Sequence, residues 1–206
     1  DTFGSVGASW IMSEENFFQD ALPFVDFFKL KASYGVSGDQ AGVGLYPGYN
    51  TFNVDNLNGA ISISERNIGF PNLTWETANL YQVGAEFTIG RVLDGSIDYY
   101  IKNTTNLIFN RNVGPSVGYA TETVNDGRLR NSGLEFDLTT HIFNKSDFKL
   151  DFTVNGSFLG NELTKMPIDP ATGKEKVLDI NGAYGRTAGR SLFDFYMREW
   201  AGVDPQ

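Results

Sequence analysis

The sequence contains no cysteine and only one histidine, His141. Without cysteine there is no disulfide, no thiolate zinc site and no thiol nucleophile. No stretch of about 18 apolar residues occurs, so no transmembrane helix is encoded. No secretory signal is visible. Basic residues are scarce: 16 Lys and Arg stand against 25 Asp and Glu, a net charge of −9. A phosphate-backbone binder needs clustered Lys and Arg, so no nucleic acid is expected as a partner. None of these absences excludes a membrane β-barrel, whose strands are never hydrophobic as a block.

What is present is ordinary for a folded chain. Of the 206 residues, 41% are hydrophobic and 20% charged, and aromatic content is high at 14%. That length suits one large domain or part of a bigger one. The chain opens at "DTFGSVGASW", already inside patterned sequence, and stops at "WAGVDPQ", so it reads as a piece of something longer.

Gly and Asn are plentiful, long helical periodicity is missing, and several segments alternate polar with apolar. This predicts an all-β chain. "SEENFFQDALPFVDF" is the exception, where Ser13 and the following acids predict a short helix at a connection. Seven strands are expected: near 3–12, near 26–35, 76–89, 93–108, about 128–142, about 148–160 and about 192–202. The last alternates most poorly.

Five of these strands keep a clean parity. One face holds Phe28, Leu30, Ala32 and Tyr34; Tyr81, Val83, Ala85, Phe87 and Ile89; Leu93, Ile97, Tyr99 and Ile101. It continues through Leu134, Phe136, Leu138 and Ile142, then Phe148, Leu150, Phe152, Val154 and Phe158. The opposite face holds Lys29, Lys31, Glu86, Asp94, Asp98, Lys102, Glu135, Asp137, His141, Lys149 and Asp151. A Lys or Arg on a lipid face costs about 2–4 kcal/mol at the bilayer midplane, so an uncharged face fits lipid. It fits the core of a sandwich equally well.

Strand length and loop order separate the two. The strands approach or exceed the roughly 9–11 tilted residues that cross a bilayer, against about 5–6 in soluble sheets. Tight turns at "GRV" and "FNKSD" alternate with long connections at about 36–75, 109–127 and 161–191. In an antiparallel meander the short turns then share one end and the long loops the other. That is the pattern of short periplasmic turns and long extracellular loops. Trp10, Tyr34, Phe143 and Phe148 at strand ends suit the aromatic girdles of the two interfaces.

Catalytic chemistry is not evident. His141 has no nucleophile motif to serve. Asp94 with Asp98, and Glu135 with Asp137, share a strand face as any wet face would show, so no enzyme is expected. "VDNLNGAISISE" sets Asn56, Asn58, Gly59 and Glu65 at the spacing of an EF-hand loop, but Val54 stands where Asp is required and flanking helices are missing. No cofactor is expected, and bound calcium stays a weak alternative at that loop. In the long loops Tyr46, Tyr49, Phe52, Tyr119 and Tyr184, with Arg186 and Arg190 nearby, offer aromatic faces to a sugar or peptide.

A series of motifs resembles one family. "SVGASWIMSEENFF" and "LKASYGVSGDQ" are similar to Ser-Trp-x-x-Ser-Glu-Glu and Leu-Arg-Ala-Ser-Tyr-Gly-x-x-Gly, with Lys31 where Arg is usual. "FPNLTWE" resembles Asn-Pro-Asn-Leu-x-Trp-Glu through Asn72, Trp75 and Glu76, with Phe70 replacing the first Asn. "NDGRLRNSGLEFDL" matches Asn-x-Gly-x-x-x-Asn-x-Gly-x-Glu through Asn125, Gly127, Asn131, Gly133 and Glu135. "WAGVDP" resembles the close of a late strand. Together these resemble the barrel of SusC/RagA-type TonB-dependent outer-membrane transporters of Bacteroidetes.

The resemblance implies that residues 1–206 are part of one large plugged antiparallel barrel, multi-pass in the bacterial outer membrane. The plug domain and final strands are expected outside this chain. It implies nutrient import, of an oligosaccharide or a peptide, with a SusD-like surface lipoprotein over the mouth and TonB acting through the plug. The charged face then lines the lumen and the apolar one meets outer-membrane lipid. A passive porin or adhesin barrel, or a secreted glycan-binding or glycan-cleaving β-sandwich, are the alternatives.

Overall fold

The computed structural model describes residues 2–41, 43–112 and 121–202, with the side chains of 67, 111 and 112 left aside. Among the described residues, ten strands and one short α-helix follow the chain: β1 Gly4–Ile11, α1 Asn16–Ala21, β2 Val25–Asp39, β3 Thr51–Leu57 and β4 Ala60–Asn67. Then come β5 Glu76–Ile89, β6 Leu93–Asn112, β7 Thr121–Asn144, β8 Lys149–Lys165, β9 Asp179–Asn181 and β10 Tyr184–Arg186. Six strands form one sheet in the order β1-β2-β5-β6-β7-β8. Two separate hairpins, β3–β4 and β9–β10, complete the count.

The chain divides into two compact units. One comprises Asp1–Gly38, Thr77–Thr104 and Arg130–Gly160; the other comprises Asp39–Glu76, Thr105–Leu129 and Asn161–Gln206.

In the first unit most large side chains of the apolar parity set enter no core among the described residues. Leu30, Tyr34, Tyr81, Val83, Ile97, Tyr99, Leu134, Phe152 and Phe158 are all exposed. A soluble sheet buries such a face, because each large apolar side chain gains roughly 1.5–3 kcal/mol by leaving water. A contiguous exposed set of this size marks a surface that meets lipid or a partner. Within it, glycines sit beside aromatic rings: a Cβ on Gly95 would strike Phe87 and one on Gly156 would strike Phe136.

The tight turns form as the sequence requires. Gly90 and Arg91 both take positive φ, 58° and 56°, and the Val92 N–H donates to the Ile89 carbonyl at 3.0 Å. That is the two-residue hairpin turn whose twist matches the strands it joins. The Arg91 N–H donates to Asp26 Oδ2, Gly90 N–H to Phe24 O and His141 N–H to Val92 O. The start of β2, the β5–β6 turn and the late part of β7 thus lie at one end of the sheet. Helix α1 sits in the β1–β2 connection, with Phe18 buried and stacked on Phe28 at 5.3 Å.

Several expectations need correction. Residues 192–202 form no strand; their one bridge, among the described residues, joins Phe195 to Tyr184. The 36–75 connection holds the β3–β4 hairpin, and the 161–191 connection holds β9 and β10. β6 and β7 reach further into the 109–127 connection than expected, to Asn112 and from Thr121. The calcium-like stretch is a hairpin instead of a loop. Leu57 pairs with Ala60, Asn58 and Gly59 take φ of 52° and 86°, and Asn56 Oδ1 accepts the Gly59 N–H. Asn-Gly is the preferred pair for that turn.

Candidate functional site

The charged face of the first unit is organised into two networks. Lys29 and Lys31 on β2 both reach Glu86 on β5 at 3.1 Å. Lys31 also reaches Asp98 on β6 at 3.0 Å, and Gln82 donates to Asp98. Neighbouring strands make this possible, since side chains of one parity stand opposite each other across a ladder. Gly84 leaves the room: a Cβ there would strike the Asp98 carboxylate and the Lys31 stem.

The second network centres on His141 of β7. Its Nδ1 lies 2.7 Å from Asp151 Oδ1 on β8 and its Nε2 lies 2.9 Å from Asp94 Oδ2 on β6. Carboxylates only accept, so both contacts are satisfied when both ring nitrogens carry hydrogen. Thr88 donates to Asp94 at 2.7 Å. Sequence parity places His141 on the wet face but gives no sign that it joins three strands. Glu135, Asp137, Lys102 and Lys149 are exposed, and none of them forms an ion pair among the described residues. Of the two acidic pairs noted in the sequence, Asp94 and Asp98 are therefore divided, Asp94 held by the histidine and Asp98 by Lys31.

In the second unit, two signature segments meet the late part of β6. Asn125 Oδ1 accepts the Thr74 N–H at 2.7 Å, while its Nδ2 donates to the Thr74 and Asn106 carbonyls, each at 2.8 Å. Asn106 lies inside β6 with a φ of 54°, a left-handed residue that interrupts the pleat. The Ile108 N–H nearby donates to Glu76 Oε1 at 2.7 Å. Gly127 admits Leu107, which a Cβ would crowd at 3.2 Å. Leu107 then packs with Leu129 and Leu192 against the buried cluster of Phe109, Leu163 and Met166. Asp126 adds a pair with Lys165 at 2.6 Å and accepts the Ile168 N–H. Asn125, Gly127, Glu76 and the Thr74 backbone thus brace an irregular strand. Asn72 is exposed, and Trp75 stands half exposed beside a small cavity. In the first unit Gly133 does similar work, since a Cβ there would meet the Tyr100 ring at 2.8 Å. Asn131 is half-buried beside it on the same strand.

The aromatic residues expected to touch ligand are scattered. Tyr46 lines a cavity of about 470 Å³; Tyr49 and Phe52 are exposed. Tyr184 stacks on Phe195 at 5.4 Å. Arg186 lies over the Phe109 ring at 5.0 Å, engaged with the hydrophobic cluster. Tyr119 lies outside the described residues.

Long antiparallel strands with an exposed apolar face and an internally paired charged face define the wall of a membrane β-barrel. The family described as "TonB dependent receptor-like, beta-barrel" matches residues 1–194, and the chain belongs to it. That family is one of outer-membrane transporters rather than enzymes. The TonB-dependent receptor P26 of Formosa agariphila is 33% identical over 190 residues, 87% of this chain and 17% of that protein. TonB-dependent receptor SusC of Bacteroides thetaiotaomicron is 30% identical over 175 residues, 80% of this chain and 17% of its own. Among solved structures, the RagAB peptide transporter superposes with a TM-score of 0.82 at 25% identity, covering 98% of this chain and 22% of the matched one. The chain thus spans about one fifth of the length of these relatives.

Proposed function

We propose that these residues form part of the wall of a nutrient importer in the bacterial outer membrane, crossing it several times. The Lys29–Glu86–Lys31–Asp98 and Asp94–His141–Asp151 networks line the lumen, and Tyr81, Val83 and their neighbours meet lipid. TonB drives import through a plug domain, and a SusD-like lipoprotein covers the extracellular mouth. The cargo is an oligosaccharide or a peptide, as the family resemblance implies, and likeness to the RagAB peptide transporter supports the peptide. The reading needs no cofactor. The observation that supports it best is the division of one sheet into an exposed apolar face and a self-paired charged face, in a chain of this family.

The test is uptake by cells carrying the full-length gene. Labelled oligosaccharide and peptide mixtures are supplied with and without TonB. Uptake that requires both the gene and TonB supports the importer. Uptake that persists without TonB points to a passive porin, and recovery of the full-length protein from the soluble fraction points to a secreted sandwich. Co-purification of a surface lipoprotein with the tagged protein tests the partner.

A further inference from the structure

The cavity beside Tyr46 lies wholly within the second unit and belongs to neither charged network. At about 470 Å³ it falls in the range of small-molecule sites, roughly 300–1,000 Å³. Its wall combines Tyr46 and Phe70 with Asn110, Thr121 and Thr123, so it offers ring faces, hydroxyls and an amide. Arg66, at the end of β4, is the one charged side chain among its described lining residues.

An exposed arginine on a hairpin needs no ligand in general. The setting of this one points to a ligand. Arg66 has no ion-pair or hydrogen-bond partner among the described residues, in a chain where acids outnumber bases by 25 to 16. Lys29, Lys31, Lys165 and Lys176 hold a carboxylate, whereas Lys102 and Lys149 are, like Arg66, without an ion pair among the described residues, so what distinguishes Arg66 is its place on the cavity wall. Arg66 also lines a cavity whose other described polar lining groups are neutral. Thr123 already donates to Asn110 Oδ1 at 2.7 Å, so that pair is fixed and supplies no competing charge.

From this geometry we infer that the cavity binds a carboxylate-bearing ligand of dipeptide or disaccharide size, with Arg66 as the specificity-determining cation. The planar guanidinium forks onto a carboxylate with two parallel N–H···O bonds, which an ammonium does not reproduce. The threonine hydroxyls and the Asn110 amide serve the neutral part of the ligand, and Tyr46 and Phe70 its apolar surface. A free peptide C-terminus and a uronate sugar present the same carboxylate. The inference names a substrate class for the importer proposed above and rests on that reading.

The test uses the purified full-length protein and calorimetry with matched probes. One pair is dialanine and its C-terminal amide; the other is digalacturonic acid and its dimethyl ester. Loss of a charge-assisted pair, worth about 1.5–3 kcal/mol, changes affinity about tenfold or more. The acid of at least one pair is expected to bind at least about tenfold more tightly than its neutral partner, which identifies the source of the carboxylate. Arg66→Gln is expected to bring the two within about twofold, and Arg66→Lys to keep part of the preference. No preference in either pair, including no binding at all, overturns the inference without any variant being made. A preference that survives in a folded Arg66→Gln protein overturns it too. Uptake that continues while the acid preference is missing refutes only the carboxylate site. A preference that depends on Arg66 in a protein that imports nothing refutes only the importer.

Discussion

The side-chain amide of Asn125 holds Thr74 by both of its backbone groups, accepting from the N–H at 2.7 Å and donating to the carbonyl at 2.8 Å. The second Nδ2 hydrogen reaches the Asn106 carbonyl, so one side chain ties three segments together. A signature asparagine at this position has a mechanical reason, since few side chains offer one acceptor and two donors in a plane. Asn125→Ala removes three hydrogen bonds, each worth about 0.5–1.5 kcal/mol net, and a loss of about 1–3 kcal/mol is expected because the site is solvent-exposed. Asn125→Asp keeps the acceptor but sets a carboxylate oxygen against two carbonyls. It is expected to destabilise at least as much as alanine. Thermal loss of the folded gel mobility of the full-length protein measures both, and an Asp variant as stable as the parent would contradict donation from Asn125 to the two carbonyls.

His141 makes a second test of a three-strand tie. Its ring nitrogens contact Asp94 and Asp151, whose side chains are about half exposed. His141→Leu leaves the two carboxylates without a counterpart. With solvent screening the expected loss is small. His141→Arg restores a donor to both acids and is expected to recover most of that loss. Comparing the two melting temperatures in low and high salt checks the origin, because a charge effect shrinks as salt rises.

The β5–β6 turn carries a residue that the geometry penalises. Arg91 has a φ of 56°, and an L-residue in that region costs about 1–2 kcal/mol. Arg91→Gly relieves this, and the added unfolded-state freedom of glycine offsets about 0.5–1 kcal/mol of the gain. A neutral to slightly raised melting temperature is expected. A clear loss would mean that the Arg91 side chain, and not its backbone bond to Asp26, secures the turn.

Legibility in the sequence followed the local signal. β5 spans Glu76–Ile89, where the alternation places it, because every residue from Tyr81 to Ile89 obeys one parity. β7 begins at Thr121, several residues before the expected 128, since "TETVNDG" has Val124 as its one apolar side chain and carries no alternation. The β3–β4 hairpin has a local signal in Asn58-Gly59 between two β-rich runs, but a polar Asn/Gly stretch reads equally well as loop. At β6, Asn106 interrupts the pleat, and no periodicity shows a single left-handed residue in advance. The charged face is readable as a set. Its pairing is not, because partners such as Lys31 and Glu86 are 55 positions apart and only the strand order β2-β5-β6 joins them.

The assignment of the two faces rests on neighbours that look in opposite directions. Val83 is 54% exposed on the apolar face, while Gln82, one residue before it, donates to Asp98 on the charged one. Val83→Arg sets a cation towards the hydrocarbon, which costs about 2–4 kcal/mol near the midplane. Gln82→Arg places the same cation beside Asp98, where it gains a partner. The first variant of the full-length protein is therefore expected to show a several-fold drop in outer-membrane yield, and the second a yield close to the parent. Heat-dependent gel mobility of the membrane fraction separates failed assembly from low expression. Equal losses in the two variants would remove the lipid assignment of the Val83 face. Loss confined to Gln82→Arg would reverse it, because a membrane wall tolerates a new charge only on the side that water or protein can solvate.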